Sequence, residues 1–230
     1  MLNDYNINHS VNIKTPCIGT LQKSHPKSYF HRCHVTSDYF KKLVDDNPRV
    51  LQIMLFGNNE TLVEFLPQKV YDEWVKEDVG QIFVQLFDAT LANWAGEPPG
   101  ICSMSPTCGR AAAMEANGDV YSCDHFVFPE YRLGNIRQQS LTTMLYGERQ
   151  QQFGRNKSAS LPRQCRECRF LFACHGECPK NRFLKDKYGE PGLNYLCKGY
   201  QQFFVHVAAD MDFMKAELDA GRSPANLMNR

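Results

Sequence analysis

The chain has 230 residues, 43% of them hydrophobic, enough to bury a core in one large or two small domains and too many for a wholly disordered polypeptide. Its 26 Lys and Arg nearly cancel its 25 Asp and Glu, so no overall field steers it to nucleic acid or to an anionic membrane surface. No apolar run approaches the roughly 18 residues of a membrane span, and the opening MLNDYNINHSVNIKTPC lacks the charged-then-apolar pattern of an export signal, so a soluble, cytoplasmic protein with no nucleic-acid or membrane partner is expected.

Residues 4–11 alternate like a strand, 37–46 suit a short helix, and VLQIMLF at 50–56 reads as a buried strand. Residues 67–79 carry Val70, Trp74 and Val75 on one side, which predicts a helix with a core-facing Trp. IFVQLF at 82–87 reads as a strand leading into a second helix that ends near Gly96 and holds Trp94. GEPPG at 96–100 then breaks periodic structure, because consecutive prolines remove backbone donors, and a domain boundary is expected there. Beyond it, two short extended runs flank Asn117-Gly118, a pair that tolerates the positive φ of a hairpin turn. That hairpin would deliver Cys123 and Asp124 at its far end. Residues 161–182 are too dense in Cys, Gly, Pro and Arg to build an ordinary core and need an inorganic centre to organise them. After Cys197, the apolar positions Tyr200, Phe203, Phe204, Val207, Met211, Met214 and Leu218 recur every three or four residues, and Gly221 follows as a stop, which predicts a packing helix.

Ten cysteines without an export signal point to metal or redox chemistry in a reducing compartment. Cys17 and Cys33 stand apart, and with His31 and His34 they could make a small metal site or belong to a solvated loop. The other eight crowd together. Nine residues separate Cys108 from Gly118 and four separate Gly118 from Cys123; later come Cys165-x2-Cys168-x5-Cys174-x3-Cys178 and a final Cys197. With Cys102 they number eight, as two complete four-cysteine sites require, and the quartet ending in Cys178-Pro179 is similar to the spaced cysteines of bacterial ferredoxins, in which the cysteine before that proline ligates the other cluster. Two [4Fe-4S] clusters are expected. Spacing alone leaves structural zinc and disulfides as alternatives. Arg163, Arg166, Arg169, Lys180 and Arg182 lie around the outer cysteines, either compensating an anionic cluster or forming a solvated basic face.

This spacing is similar to that of the SPASM domain, which follows radical S-adenosylmethionine (radical SAM) barrels. The stretches CGRAAAMEANGDVYSCDHFVFPEYRLGNI, LPRQCRECRFLFACHGECPKNRF and GEPGLNYLCKGY resemble the anaerobic sulfatase-maturating enzymes in particular. The resemblance implies a function in oxidising a Cys or Ser of a sulfatase precursor to formylglycine, with a 5'-deoxyadenosyl radical removing hydrogen from the substrate's β-carbon. It implies Cys102, Cys108, Cys123 and Cys178 on the cluster nearer the substrate and Cys165, Cys168, Cys174 and Cys197 on the outer one. It also implies that Asp124 takes the substrate proton, against the plainer reading of a turn-capping or ion-paired carboxylate. The 230 residues contain no Cys-x3-Cys-x2-Cys, the loop whose three sulfurs leave one iron open for S-adenosylmethionine. The expectation is therefore an α+β chain inactive alone and not itself binding S-adenosylmethionine: residues 1–100 a remnant of the closing part of a radical SAM barrel, 101–199 a SPASM-like two-cluster domain, and 200–230 a C-terminal packing helix and tail. A sulfatase precursor peptide and a separate barrel-bearing chain are the partners implied. A non-catalytic peptide-binding or docking module and a zinc-stabilised domain are the other readings.

Overall fold

The computed structural model describes residues 52–53 and 60–230, with side chains described from residue 68 onward. The expected strand at 4–11, the helix at 37–46, most of the strand at 50–56, and Cys17, His31, Cys33 and His34 lie outside the described residues. Within them the chain is α+β, built from helices and small sheets with no closed barrel. The described residues divide into two compact units, one formed by those up to Asp88 together with Gln202–Arg230, the other by Ala89–Gln201.

In the first unit, strand β1 (Gln52–Ile53) pairs in parallel with β2 (Phe83–Val84). Helix α1 (Glu60–Glu77) lies between them in sequence, starting seven residues before the predicted Pro67 and running through it. IFVQLF divides as expected, into β2 and the start of α2 (Gln85–Ala95). Val70, Tyr71, Trp74, Val84 and Phe87 are buried, and so are Phe203, Phe204, Val207, Met211 and Met214 of the last helix. Their rings interlock. Tyr71 meets Phe87 edge-on at 5.1 Å, Phe87 stacks on Phe203 at 5.8 Å, and the Trp74 indole N–H donates to the Ile82 carbonyl at 2.7 Å. Each such side chain contributes about 1.5–3 kcal/mol on burial, so this aromatic core holds the unit.

The second unit is poorer in apolar groups. β3 (Ala113–Met114), β4 (Asp119–Tyr121) and β5 (Arg132–Asn135) form an antiparallel sheet in the order β3-β4-β5. The hairpin at Asn117-Gly118 is as expected, with Gly118 at φ +89°, whereas β5 was not foreseen. Helices α3 (Leu141–Tyr146), α4 (Glu148–Ala159), α5 (Arg163–Arg166) and α6 (Leu171–Cys174) follow, then the two-stranded sheet of β6 (Leu184–Lys185) and β7 (Pro191–Leu193). Trp94 packs on Phe172 at 4.7 Å, and the Asn93 side-chain amide donates to the carbonyls of Met104 and Ala173, tying three segments together.

The last helix, α7, runs Cys197–Asp219. It ends as Gly221 predicts: with Gly221 at φ +68°, its N–H donates to Leu218 and the Arg222 N–H to Glu217, a Schellman stop. Leu218 departs from the expected apolar face and is 40% exposed. Glu217 turns inward in its place, where Arg222 and the Asn226 amide clasp its carboxylate and hold its pKa down at about 2.

Candidate metal centre

All eight clustered cysteines fall in the second unit, and none forms a disulfide. Local chemistry sets each one. Cys102 sits in the turn that the Ser105 N–H closes on its carbonyl. Cys108 donates its N–H to the Gly154 carbonyl in α4. Cys123 follows β4, where Ser122 is buried and bonds the Tyr131 carbonyl through both its N–H and its hydroxyl. Cys165 lies in α5, Cys174 ends α6, and Cys197 opens α7. Between Cys174 and Cys178 the backbone is left-handed at three successive residues, His175 (φ 48°), Gly176 (φ 71°) and Glu177 (φ 55°). Such conformations cost about 1–3 kcal/mol at a non-glycine residue and persist where surroundings impose them. Here the imposing group is Arg182, whose guanidinium donates to the carbonyls of His175, Gly176 and Glu177.

The thiols fall into two sets of electrostatic neighbours. Burial pushes the Cys123 and Cys174 thiols up to about 12, Cys178 and Cys197 to about 11, and Cys108 and Cys165 in the same direction. Repulsion from other sulfurs adds to it. Cys102 acts on Cys108, Cys178 on Cys123, and Cys102 and Cys108 on Cys178. Separately, Cys197 and Cys165 act on Cys174, Cys168 on Cys165, and Cys165 and Cys168 on Cys197. Every repelling sulfur belongs to its partner's own set of four. Thiols held this high stay protonated near neutral pH, so a metal centre must displace their protons, and its binding strengthens as pH rises.

Asp124 is 75% exposed in its side chain, and its carboxylate accepts from the Cys123 thiol at 3.1 Å. That hydrogen bond, with His125 nearby at 4.0 Å, holds the Asp124 carboxyl below the usual range. Cys123, Asp124 and His125 form the one group of three or more potential ligands among the described residues whose donor atoms all lie within 4.8 Å of one another. Residue-type reasoning missed His125, which also places Nδ1 3.6 Å from the Cys178 sulfur. It missed Lys157 and Glu177 as well. Lys157, buried in α4, donates to the carbonyls of Cys102 and Ser103 at 2.5 and 2.8 Å. The buried Glu177 carboxylate accepts from Asn181 and Asn194 at 2.9 and 2.6 Å, joining the segments that carry Cys178 and Cys197. The expected basic face is partly neutralised, since Arg163 pairs with Glu167 and Arg166 with Glu190.

Gly154 is required where α4 meets Cys108, because a Cβ there would come within 2.7 Å of the Cys108 carbonyl oxygen. Ala favours a helix by about 1 kcal/mol over Gly, but overpacking against fixed backbone costs about 1–3 kcal/mol. Gly154→Ala is therefore expected to lower the unfolding midpoint of the metal-loaded chain and its iron content. Gly109→Ala, next to the same cysteine but facing open space, is the control and should do neither. Equal effects from both would show that the Cys108 contact is not the constraint.

This arrangement defines a cysteine-rich unit, and the SPASM domain, an iron-sulfur cluster-binding domain, matches residues 106–169. The likeness to anaerobic sulfatase-maturating enzymes is found as well. The chain is 66% identical over 159 residues to a serine-type anaerobic sulfatase-maturating enzyme of Bacteroides thetaiotaomicron, covering 69% of this chain and 38% of that protein. It is 33% identical over 143 residues to a serine-type enzyme of Klebsiella pneumoniae, covering 62% and 34%. In fold it is similar to anSMEcpe solved with bound AdoMet and the Cp18Cys peptide, with a TM-score of 0.65 at 22% identity, covering 80% of this chain and 56% of that one. The chain thus spans about two fifths of the Bacteroides thetaiotaomicron relative and over half of the solved structure.

Proposed function

We propose that these residues are the two-cluster part of an anaerobic sulfatase-maturating system, with Cys102, Cys108, Cys123 and Cys178 holding one [4Fe-4S] cluster and Cys165, Cys168, Cys174 and Cys197 the other. The observation that carries this is that eight free cysteines gather in one compact unit that the iron-sulfur cluster-binding SPASM domain matches in part. The donor set supports iron-sulfur over zinc. A tetrahedral zinc ion with Zn–S of about 2.3 Å brings its thiolates within about 3.8 Å of one another, yet among the described residues no three cysteine sulfurs lie within 4.8 Å. A cubane, whose four thiolates sit on four different irons, does not require that close approach.

Bound clusters would supply one-electron acceptors. The chain's own residues hold them and place Asp124 beside Cys123 as the proton acceptor for a sulfatase precursor peptide. The identity to serine-type relatives favours a serine as the residue oxidised. Residues 101–199 are the cluster domain in this reading, 1–100 the closing part of a barrel, and 200–230 the packing helix and tail, working in the cytoplasm with a barrel that carries the S-adenosylmethionine site. Among the described residues, no helix is long and apolar enough to cross a membrane. Protein purified anaerobically should be brown and carry about eight irons and eight sulfides per chain, two cubanes' worth. A colourless product with stoichiometric zinc after iron-replete expression would sink the reading.

A further inference from the structure

Two cations sit inside the cysteine-bearing unit. Lys157 is 1% exposed and Arg182 half-buried, and neither forms an ion pair with a carboxylate of the described residues. Lys157 gives its ammonium hydrogen bonds to the carbonyls of Cys102 and Ser103. Arg182 donates to four carbonyls, those of His175, Gly176, Glu177 and Lys157 itself, the last at 2.5 Å. The nearby Glu177 carboxylate is engaged instead by Asn181 and Asn194. Carbonyl dipoles offset part of the desolvation of a buried cation but supply no counter-charge, and an uncompensated buried charge costs several kcal/mol. The anionic groups near them are the Glu177 carboxylate and, once they ligate a metal centre, the sulfurs: Cys108 and Cys102 for Lys157, and Cys165, Cys174 and Cys108 for Arg182. Among the sulfurs, Lys157 therefore faces one set, while Arg182 lies within electrostatic range of both.

We infer that Lys157 and Arg182 are a built-in counter-charge that raises the reduction potentials of the two clusters, Lys157 acting on the set of Cys102, Cys108, Cys123 and Cys178, and Arg182 on both sets. The inference rests on the two-cluster reading above. Four thiolates leave such a centre anionic, and taking up one electron without a proton makes it more so. A fixed cation in low dielectric stabilises the reduced form more than the oxidised one. Lys157 also fixes the Cys102 loop and Arg182 the strained turn before Cys178, so each holds a ligand-bearing segment with the same group that supplies the charge.

The test is an EPR-monitored redox titration of the anaerobically reconstituted 230-residue chain and its Lys157→Met, Lys157→Arg and Arg182→Met variants. The Cys174→Ala chain, which would retain one cluster, assigns the signals. Lys157→Met should lower the potential of the first cluster so that its reduced-to-oxidised ratio at a fixed potential falls at least tenfold, about 59 mV for a one-electron couple. The second cluster should shift much less, Lys157→Arg should stay near wild type, and Arg182→Met should lower both potentials. Fully loaded variants with unchanged potentials would overturn the inference, and so would equal iron loss in Lys157→Met and Lys157→Arg, because packing rather than charge would then be at stake. Iron loss in the Met variant alone supports it. Fewer than two clusters in the unmodified chain would instead overturn the reading on which it rests.

Discussion

Cys174→Ala is expected to remove about half of the bound iron and sulfide and to loosen residues 161–197, while the Cys102–Cys108–Cys123–Cys178 centre stays loaded. The physical basis is the poverty of the local core. Its buried cluster is Leu161, Cys165 and Leu193, with Leu171 and Cys197 packed against them, so two of the five side chains are themselves proposed ligands. Where apolar packing is so thin, metal-binding energy is folding energy. Hydrogen exchange should rise by orders of magnitude across 161–197 and little in the aromatic core around Tyr71, Phe87 and Phe203. Cys108→Ala should spare the outer centre and empty the other. Cys17→Ala and Cys33→Ala should leave iron content unchanged. Loss of all iron from either single-set variant would show that the two fours are not independent.

The second large effect concerns Asp124. The 230 residues alone, reduced and supplied with S-adenosylmethionine, should form no 5'-deoxyadenosine above a buffer control, because no Cys-x3-Cys-x2-Cys is present to leave an iron open. In a fusion to the barrel half of a serine-type relative, Asp124→Asn should lower formylglycine yield roughly a hundredfold, the low end of general-base contributions. S-adenosylmethionine cleavage should fall far less. As a free thiol, Cys123 donates to this carboxylate. As a cluster ligand it carries no proton, which leaves the Asp124 carboxylate exposed, beside His125, and free to accept one from a substrate. Equal loss in both readouts would assign Asp124 a structural role, and deoxyadenosine from the unfused chain would mean that the missing motif has been misread.

Much of this was legible in one dimension because the signals are local. The φ demanded at Gly118 and the Schellman stop at Gly221 are properties of single residues and their neighbours, and both recur in the structure. The period of Phe203, Phe204, Val207, Met211 and Met214 marked one helix face, and that face is buried. Leu218 continued the period but lies exposed, since the turn that follows brings Arg222 and Asn226 onto Glu217 and fixes which side of the last helical turn faces inward. The apolar face of Val70, Trp74 and Val75 placed a helix over 67–79, yet α1 begins at Glu60 and passes through Pro67.

The sequence by itself determined that eight cysteines at these intervals need an inorganic centre, because thiols so dense among Gly, Pro and Arg cannot pack as a core. It also determined the resemblance that divides them into two fours. Only the tertiary structure decided which other groups meet those sulfurs. Lys157 lies 55 residues from Cys102 in the chain, and His125 lies 53 from Cys178, and nothing in either residue's neighbourhood announces the contact. Arg182 looked like one of five cations on a basic face. Folding pairs Arg163 and Arg166 with glutamates at the surface and turns Arg182 inward onto carbonyls. A hydrogen bond between distant segments depends on how loops close around a shared centre, and that closure is written in no local pattern of residues.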